Sequence, residues 1–197
     1  MLLTVFGSMG GYAGPNAPSS GYLVRASEQD RPILLDVGSG VLSRMLGCVR
    51  LNEIAGIVLS HLHHDHVADL GAFAHALQIG SFHGLQRDLL PVYFPAEAQS
   101  RAVHFQDMPY PWLKWIPVHG GDRIPLPKAR LALSFAAAEH PVPALAVRVW
   151  SQEGDVSLTY TGDTRPSSDV LELSRRTSLL LAECSMFAGE DAQPAGH

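Results

Sequence analysis

Cysteine is scarce in this chain. Cys48 and Cys184 are its only two, far apart and without a CxxC spacing. That excludes a disulfide framework and suits reduced, structural thiols in a cytoplasmic protein. No apolar run is long enough to cross a bilayer. Met1 to Phe6 carries neither a basic leader nor a cleavage site, and reads as a first strand rather than a signal peptide. Runs of Lys or Arg are missing too, and the net charge is −5 with histidine neutral, the opposite of what tracking a long nucleic acid needs. The glycine- and proline-rich stretch from Gly7 to Gly21 has no following GK[ST], which argues against a phosphate-binding P-loop. It is too punctuated for a helix or strand, and is either a wall of a site's mouth or a plain connecting loop. At 197 residues and 46% apolar content, the chain has enough for one core, read as a single domain over 1–197.

What the chain has instead is concentrated histidine. Four of its ten histidines fall in Ser60-His61-Leu62-His63-His64-Asp65-His66, with an aspartate between the last two. Ile54 to Leu59, just before it, is apolar and β-prone, and follows a turn-like Asn52-Glu53. Val67, Leu70, Ala74 and Leu77 recur after it at helical spacing. The pattern predicts a buried strand ending at the histidines and a helix beginning beyond them, from Val67 to about Gly80. Such a junction aims several imidazoles and a carboxylate into one pocket. Nitrogen and carboxylate donors this dense suit zinc or a similar divalent ion. An expression tag would sit at a terminus, and a solvated loop gains nothing from four titratable rings beside a buried strand.

Around this junction strands alternate with helices, an α/β pattern. Tyr22 to Arg25 and Pro32 to Asp36 read as strands about a polar turn, with a short helix near Val41 to Leu46. Asp36 ends a buried strand, so it is either a partner that orients a ligand or a turn or helix-start aspartate. A strand at Leu90 to Phe94, a helix at Ala96 to Phe105 and the aromatic, proline-rich Met108 to Trp115 follow. Ile116 to His119 and Arg123 to Leu126 read as short strands, and Leu131 to Ala137 as one that delivers Glu139-His140-Pro141. Ala144 to Trp150 and Val156 to Tyr160 alternate as a hairpin, and Thr161-Gly162-Asp163-Thr164 follows directly. Ser167 to Arg176 reads as a helix, and Leu179 to Glu183 as a last buried strand.

Strand ends thus carry His61, His63, Asp65 and His66, then His140, then Asp163, six candidate metal ligands. His61, His63 and His140 suffice for one tetrahedral ion with an open fourth place. Asp65 and His66 begin a second site, with Asp163 bridging the two. His75 and His83 read as exposed or packed rather than ligating, and His104 and His119 have no assigned role.

His-x-His-x-Asp-His after an apolar strand resembles the signature of the metallo-β-lactamase-fold hydrolases, whose further ligand positions His140 and Asp163 match in order. The resemblance runs from Met1 to His197. It is closest to the branch containing ribonuclease Z and related small phosphodiesterases, on the central motif, Thr161-Gly162-Asp163-Thr164-Arg165, Glu183-Cys184-Ser185 and Ala195-Gly196-His197. It implies a four-layer αββα sandwich with the metal site at the strand ends, and two divalent ions, Zn2+ with Mn2+ as the alternative. It places Asp36 beneath the metals and makes His64 the variable, non-ligating position. His197 matches by position a histidine that resembles a general acid; the other reading is a terminal histidine without a role.

Two departures stand out. The branch continues past its Gly-His motif into a helix and a strand ending in Thr-His, so the sequence reads as a C-terminally truncated form with its second metal site short of a ligand. Ribonuclease Z also carries a long basic arm between the motifs matched by His140 and Asp163. Only 22 residues lie between those positions here, room for one hairpin, which argues against transfer-RNA processing.

The resulting expectation is a dinuclear metal-dependent hydrolase, foremost a phosphodiesterase attacking with metal-bound hydroxide, Asp65 orienting it and His197 protonating the leaving group. Two readings stay beside it: a lactone, thioester or carboxylic ester hydrolase with the same centre, and a metal-binding domain without turnover. The expected partner is a small-molecule phosphodiester or nucleotide, rather than long nucleic acid or a membrane. A homodimer stays open, since family members of this kind are often dimers.

Overall fold

The inner strands of this chain are buried along most of their length, so they need cover on two sides. In the computed structural model, which describes residues 1–84, 88–106, 112–153 and 156–184, that cover comes from a second sheet and a layer of helices. The first sheet takes its strands in chain order: β1 (Leu2–Gly7), β2 (Gly21–Arg25), β3 (Ile33–Leu35), β4 (Gly56–Val58), β5 (Leu90–Pro95) and β6 (Leu113–Val118). β1 to β3 pair antiparallel, whereas β3 to β6 run parallel. Parallel neighbours need crossover connections. These are α1 (Val41–Met45), α2 (His64–Val67) with α3 (Leu70–Phe82), and α4 (Gln99–Gln106).

The second sheet is ordered β11 (Leu179–Leu181), β10 (Ser157–Tyr160), β9 (Leu145–Ser151), β8 (Leu131–Ala137), β7 (Arg123–Leu126). Here α5 (Ser168–Ser174) connects β10 to parallel β11 and lies against β8 and β9. Helices, sheet, sheet and helix make four layers, as the resemblance implied.

Side-chain alternation divides the core in two. Leu23, Leu34, Ile57 and Val92 face the helices and meet Val41, Met45, Val67, Leu70 and Phe73. Their strand neighbours Val24, Ile33, Leu35, Val58 and Tyr93 face the second sheet and meet Leu133, Phe135, Val147, Val149 and Tyr160. Each fully buried aliphatic or aromatic side chain of this kind contributes about 1.5–3 kcal/mol. The two cores clamp the sheets so that their strand ends are fixed relative to one another.

Several expectations need correction. The helix expected from Val67 begins earlier and in two pieces, with His64, Asp65 and His66 inside α2. The break falls at Ala68 and Asp69 because Asp69 is held by the neighbouring turn. Its N–H donates to Val37 O at 3.0 Å, and its Oδ2 accepts from Leu42 N at 2.9 Å. β11 is an edge strand and not a buried one: Leu179 and Leu180 are 47% and 50% exposed. Cys48 and Cys184 form no disulfide and both are exposed, so neither fills a core position. Within the aromatic Met108 to Trp115 stretch, residues 108–111 lie outside the described residues, while Trp115 meets Phe94 edge-on at 5.5 Å between ring centroids. No described helix is long and apolar enough to cross a membrane.

Candidate metal centre

Parallel pairing brings the ends of β3 and β4 to the same edge, with Leu35 opposite Val58. Asp36 N donates to Val58 O at 2.9 Å, and Leu59 N to Tyr93 O at 2.8 Å, which carries the register past the strand ends. From β4 the chain runs extended to His63, the residue before α2, so His61 and His63 leave on the strand exit and Asp65 and His66 on the helix. Leu145 N donates to Ser60 O at 2.9 Å, stitching the start of β9 to this exit. His140, in the turn between β8 and β9, and Asp163, just after β10, therefore arrive at the same place. All six residues singled out in the sequence meet there.

Three imidazole nitrogens converge in one part of the site. His63 Nδ1 lies 3.0 Å from His61 Nε2 and 3.1 Å from His140 Nε2. His61, His63 and His140 thus offer three ligand atoms within 4.8 Å of one another. Burial is the main cause that lowers the pKa of all three, His61 to about 3. A neutral His63 Nδ1 has at most one proton to share with these two neighbours, so the three nitrogens are poorly satisfied by themselves. They are a good set around a cation. The donor chemistry fits a divalent ion with nitrogen preference.

The second part is carboxylate-rich. His66 Nε2 lies 3.5 Å from Asp65 Oδ2 and 3.4 Å from Asp163 Oδ1, while the other oxygen of Asp163 is 3.9 Å from His61 Nε2. Gly11 N–H, where the backbone turns at φ 73°, donates to Asp65 Oδ2 at 2.8 Å. The loop from Gly7 to Gly21 is therefore a wall of the site. Burial pulls the His66 imidazolium down, but the Asp36 charge and hydrogen bonds to Asp163, Asp36 and Asp65 outweigh it and raise its pKa to about 12. Asp65 is held well below the carboxylate range, first by its hydrogen bond to His66. In the metal-free chain a proton on His66 Nε2 thus occupies the direction that a cation would take.

Asp36 organises both parts. It is fully buried and sits at φ 56°, a left-handed conformation unusual for a residue with a side chain. Its Oδ1 accepts from Ser60 N at 2.7 Å; its Oδ2 accepts from Ser60 Oγ at 2.8 Å, Tyr160 Oη at 2.7 Å and His66 Nδ1 at 2.7 Å. Ser60 spends its one proton on Asp36, so at 3.1 Å from His61 Nδ1 it accepts one from that ring. Both His61 and His66 are thereby fixed with Nδ1 protonated and Nε2 turned into the site. This is how a buried carboxylate orients ligand histidines.

Ser60, Tyr160 and Gly11 were not picked out from sequence. Tyr160 had a signal, since strand alternation turns it inward just before the Thr-Gly-Asp turn. Gly11 had none, because its contact spans 54 positions. Glu183 also joins, its carboxylate accepting from Thr164 N and so bracing the Asp163 turn. His119 pairs with Glu97 at 2.9 Å and belongs to neither group of ligand atoms. His197 lies outside the described residues.

The family model of the Metallo-beta-lactamase superfamily matches residues 14–194. The chain belongs to that superfamily. The probable metallo-hydrolase YhfI of Bacillus subtilis is 34% identical over 197 residues, covering 100% of this chain and 78% of that protein. The crystal structure of Bacillus subtilis YhfI superposes with a TM-score of 0.84 at 30% identity, over 99% of this chain and 76% of that one. Human tRNase Z, short form, shares the fold with a TM-score of 0.68 at 16% identity, over 90% of this chain and 75% of that one. This metallo-β-lactamase protein is therefore a metallo-hydrolase by family, and its histidine cluster is where a divalent metal belongs.

Proposed function

We propose that this metallo-hydrolase is a phosphodiesterase working with two divalent ions, Zn2+ or alternatively Mn2+, on a small phosphodiester or nucleotide. The observation that carries the reading is Asp163. One of its oxygens faces His61 Nε2 at 3.9 Å and the other faces His66 Nε2 at 3.4 Å, the disposition of a carboxylate shared between two sites. His61, His63 and His140 would hold one ion; Asp65 and His66 would hold the other. A bound ion pair supplies Lewis acidity toward water and toward phosphoryl oxygens, a combination suited to phosphodiesters.

The chain's own residues do the rest. Asp36, through Ser60 and directly, keeps the Nε2 lone pairs of His61 and His66 aimed inward. Asp65 stays ionised at neutral pH, and Gly11 fixes one of its oxygens, so it accepts a hydrogen bond from an attacking water without being displaced. The Gly7 to Gly21 loop narrows the mouth. The short span from His140 to Asp163 folds into the β9–β10 hairpin and leaves no room for an arm that clamps a folded RNA, which supports a small substrate. His197 is the candidate general acid for the leaving oxygen.

The test is metal content together with hydrolysis of bis(p-nitrophenyl) phosphate, alongside a thioester, a lactone and a simple carboxylic ester. Two ions per chain and preferred turnover of the phosphodiester are expected. His140→Ala should lower metal content and rate together. Ester or lactone turnover without phosphodiester turnover would overturn the substrate class, and bound metal with no turnover of any substrate would overturn the enzyme.

A further inference from the structure

β5 runs parallel to β4, so its exit lies at the same edge that delivers His61 and His63. From Pro95 the chain passes through a single 3-10 turn, Ala96–Ala98, straight into α4, which puts Arg101 in that helix's first turn, six residues past the strand end at this edge. Arg101 is exposed. Glu97, one turn earlier, is spaced to pair with it, yet its carboxylate is taken by His119 Nδ1 at 2.9 Å. Elsewhere on the surface Lys128 is paired with Asp88, Arg130 with Glu153 and Arg175 with Glu172. Arg101 has no hydrogen bond or ion pair among the described residues.

Its charge is also felt at His63, as the smallest of the influences there. Burial is the main cause of the lowered His63 pKa, Asp65 and Asp163 oppose it, and His66 and Arg101 reinforce it. The scissile group of a substrate is the business of the ions, whose ligands are all on the cluster. A guanidinium on the rim, with its carboxylate neighbour already engaged, is left to meet something further out.

We propose that Arg101 is a specificity residue that binds a second anionic group, carried by the substrate outside the scissile phosphodiester. The substrate class is then a small phosphodiester with a further phosphate or carboxylate, held by the planar fork of the guanidinium. This rests on the phosphodiesterase reading for its substrate, but the anion site can be tested without turnover.

Metal-loaded wild-type protein and the Arg101→Gln and Arg101→Lys variants are titrated by calorimetry with thymidine 5′-monophosphate and thymidine 3′,5′-bisphosphate. The same proteins are assayed on thymidine 5′-p-nitrophenyl phosphate with and without a 3′-phosphate. Wild type should bind the bisphosphate about tenfold more tightly than the monophosphate, as a charge-assisted, bidentate contact allows. Arg101→Gln should bring that ratio close to one, and Arg101→Lys should restore part of it, since the ammonium keeps the charge without the fork. The ratio of KM values for the two diesters should follow the binding ratio. A preference that survives Arg101→Gln, or is absent from wild type, overturns the proposal even if both diesters are cleaved. The expected binding ratios without cleavage of either diester sustain the anion site and overturn the phosphodiesterase reading alone.

Discussion

Tyr160 Oη donates to Asp36 Oδ2 at 2.7 Å, a fully buried bond between the last residue of β10 and the first residue beyond β3. It joins the two sheets at the point where each delivers metal-site residues. Three residues after Tyr160 comes Asp163; the partner of Asp36 is His66. The two halves of the site are thus set against each other through one phenol and one carboxylate. Burial, and then the Asp36 charge, drives the Tyr160 pKa well up, so the phenol is a donor at every working pH.

Tyr160→Phe removes that donor and little volume. Asp36 keeps its bonds from Ser60 and His66, so the expected loss is about 1–2 kcal/mol of stability, read as a lower denaturant midpoint with an unchanged slope. Metal retention should fall at the His66 and Asp65 side. A variant as stable as wild type would mean that the sheets are held in register by packing alone.

Asp36→Asn keeps the shape of the side chain but removes the charge that receives three donors on one oxygen. His66 then loses the acceptor that keeps Nδ1 protonated and Nε2 aimed inward, and Ser60 is freed to turn toward either histidine. Metal affinity should drop about 10–100-fold, measured by competition with a chromogenic chelator. Unchanged affinity would make Asp36 a turn residue and no more.

The pH dependence of the metal-free protein has a worked sign. His61, His63 and His140 have folded-state pKa values below the usual 6.5, chiefly through burial, and His61 falls to about 3. The unfolded chain therefore binds more protons than the folded one as pH drops below 6.5, and stability falls with it. His66 behaves oppositely. Its folded pKa of about 12 gives stability that is fully present below 6.5 and lost only as pH rises toward 12. Between pH 6.5 and about 5 unfolded carboxylates are still largely ionised, so this window isolates the histidines. Chelator-treated protein should show a urea midpoint that declines across it. Saturating zinc should raise the midpoint at pH 6.5 and lose that gain as protons compete for the same nitrogens.

The architecture and the meeting of the six candidate ligands were legible because they rest on local signals. Alternating or continuous apolar runs mark strands, and His61 and His63 sit on one strand exit with Asp65 and His66 on the helix directly after it. His140 and Asp163 follow other strands directly, so their position past a strand end tells where they go. What stayed hidden was non-local. Whether Leu179 and Leu180 are covered depends on what lies beside an edge strand, and an apolar triplet reads the same in either case. The break between α2 and α3 comes from Asp69 capping a turn near Leu42, 27 positions away. Asp36 was readable only as one of two alternatives, since its four donors come from β10, α2 and the exit of β4, and no spacing in the sequence joins them.

Gly38 is where the site's backbone is packed most closely. A Cβ there would lie 2.0 Å from Asp65 O and 2.8 Å from Ser19 Cβ, against backbone on one side and a fully buried serine on the other. Neither neighbour can yield cheaply, because Asp65 O belongs to the helix that carries His66 and Gly38 N is itself bonded to Ser20 O at 2.9 Å. Gly38→Ala should therefore push α2 away from the β3 exit, costing about 3 kcal/mol and displacing Asp65 and His66 from Asp163. Gly10→Ala is the matched control: nothing lies within 4 Å of a Cβ at that position, and its effect should stay within about 0.5 kcal/mol. Metal content separates the two outcomes from simple destabilisation. If Gly38→Ala at low temperature is folded yet holds fewer ions than Gly10→Ala, close backbone contact at residue 38 is what places the second set of ligands; full loading in both would leave that placement to Asp36 and Tyr160.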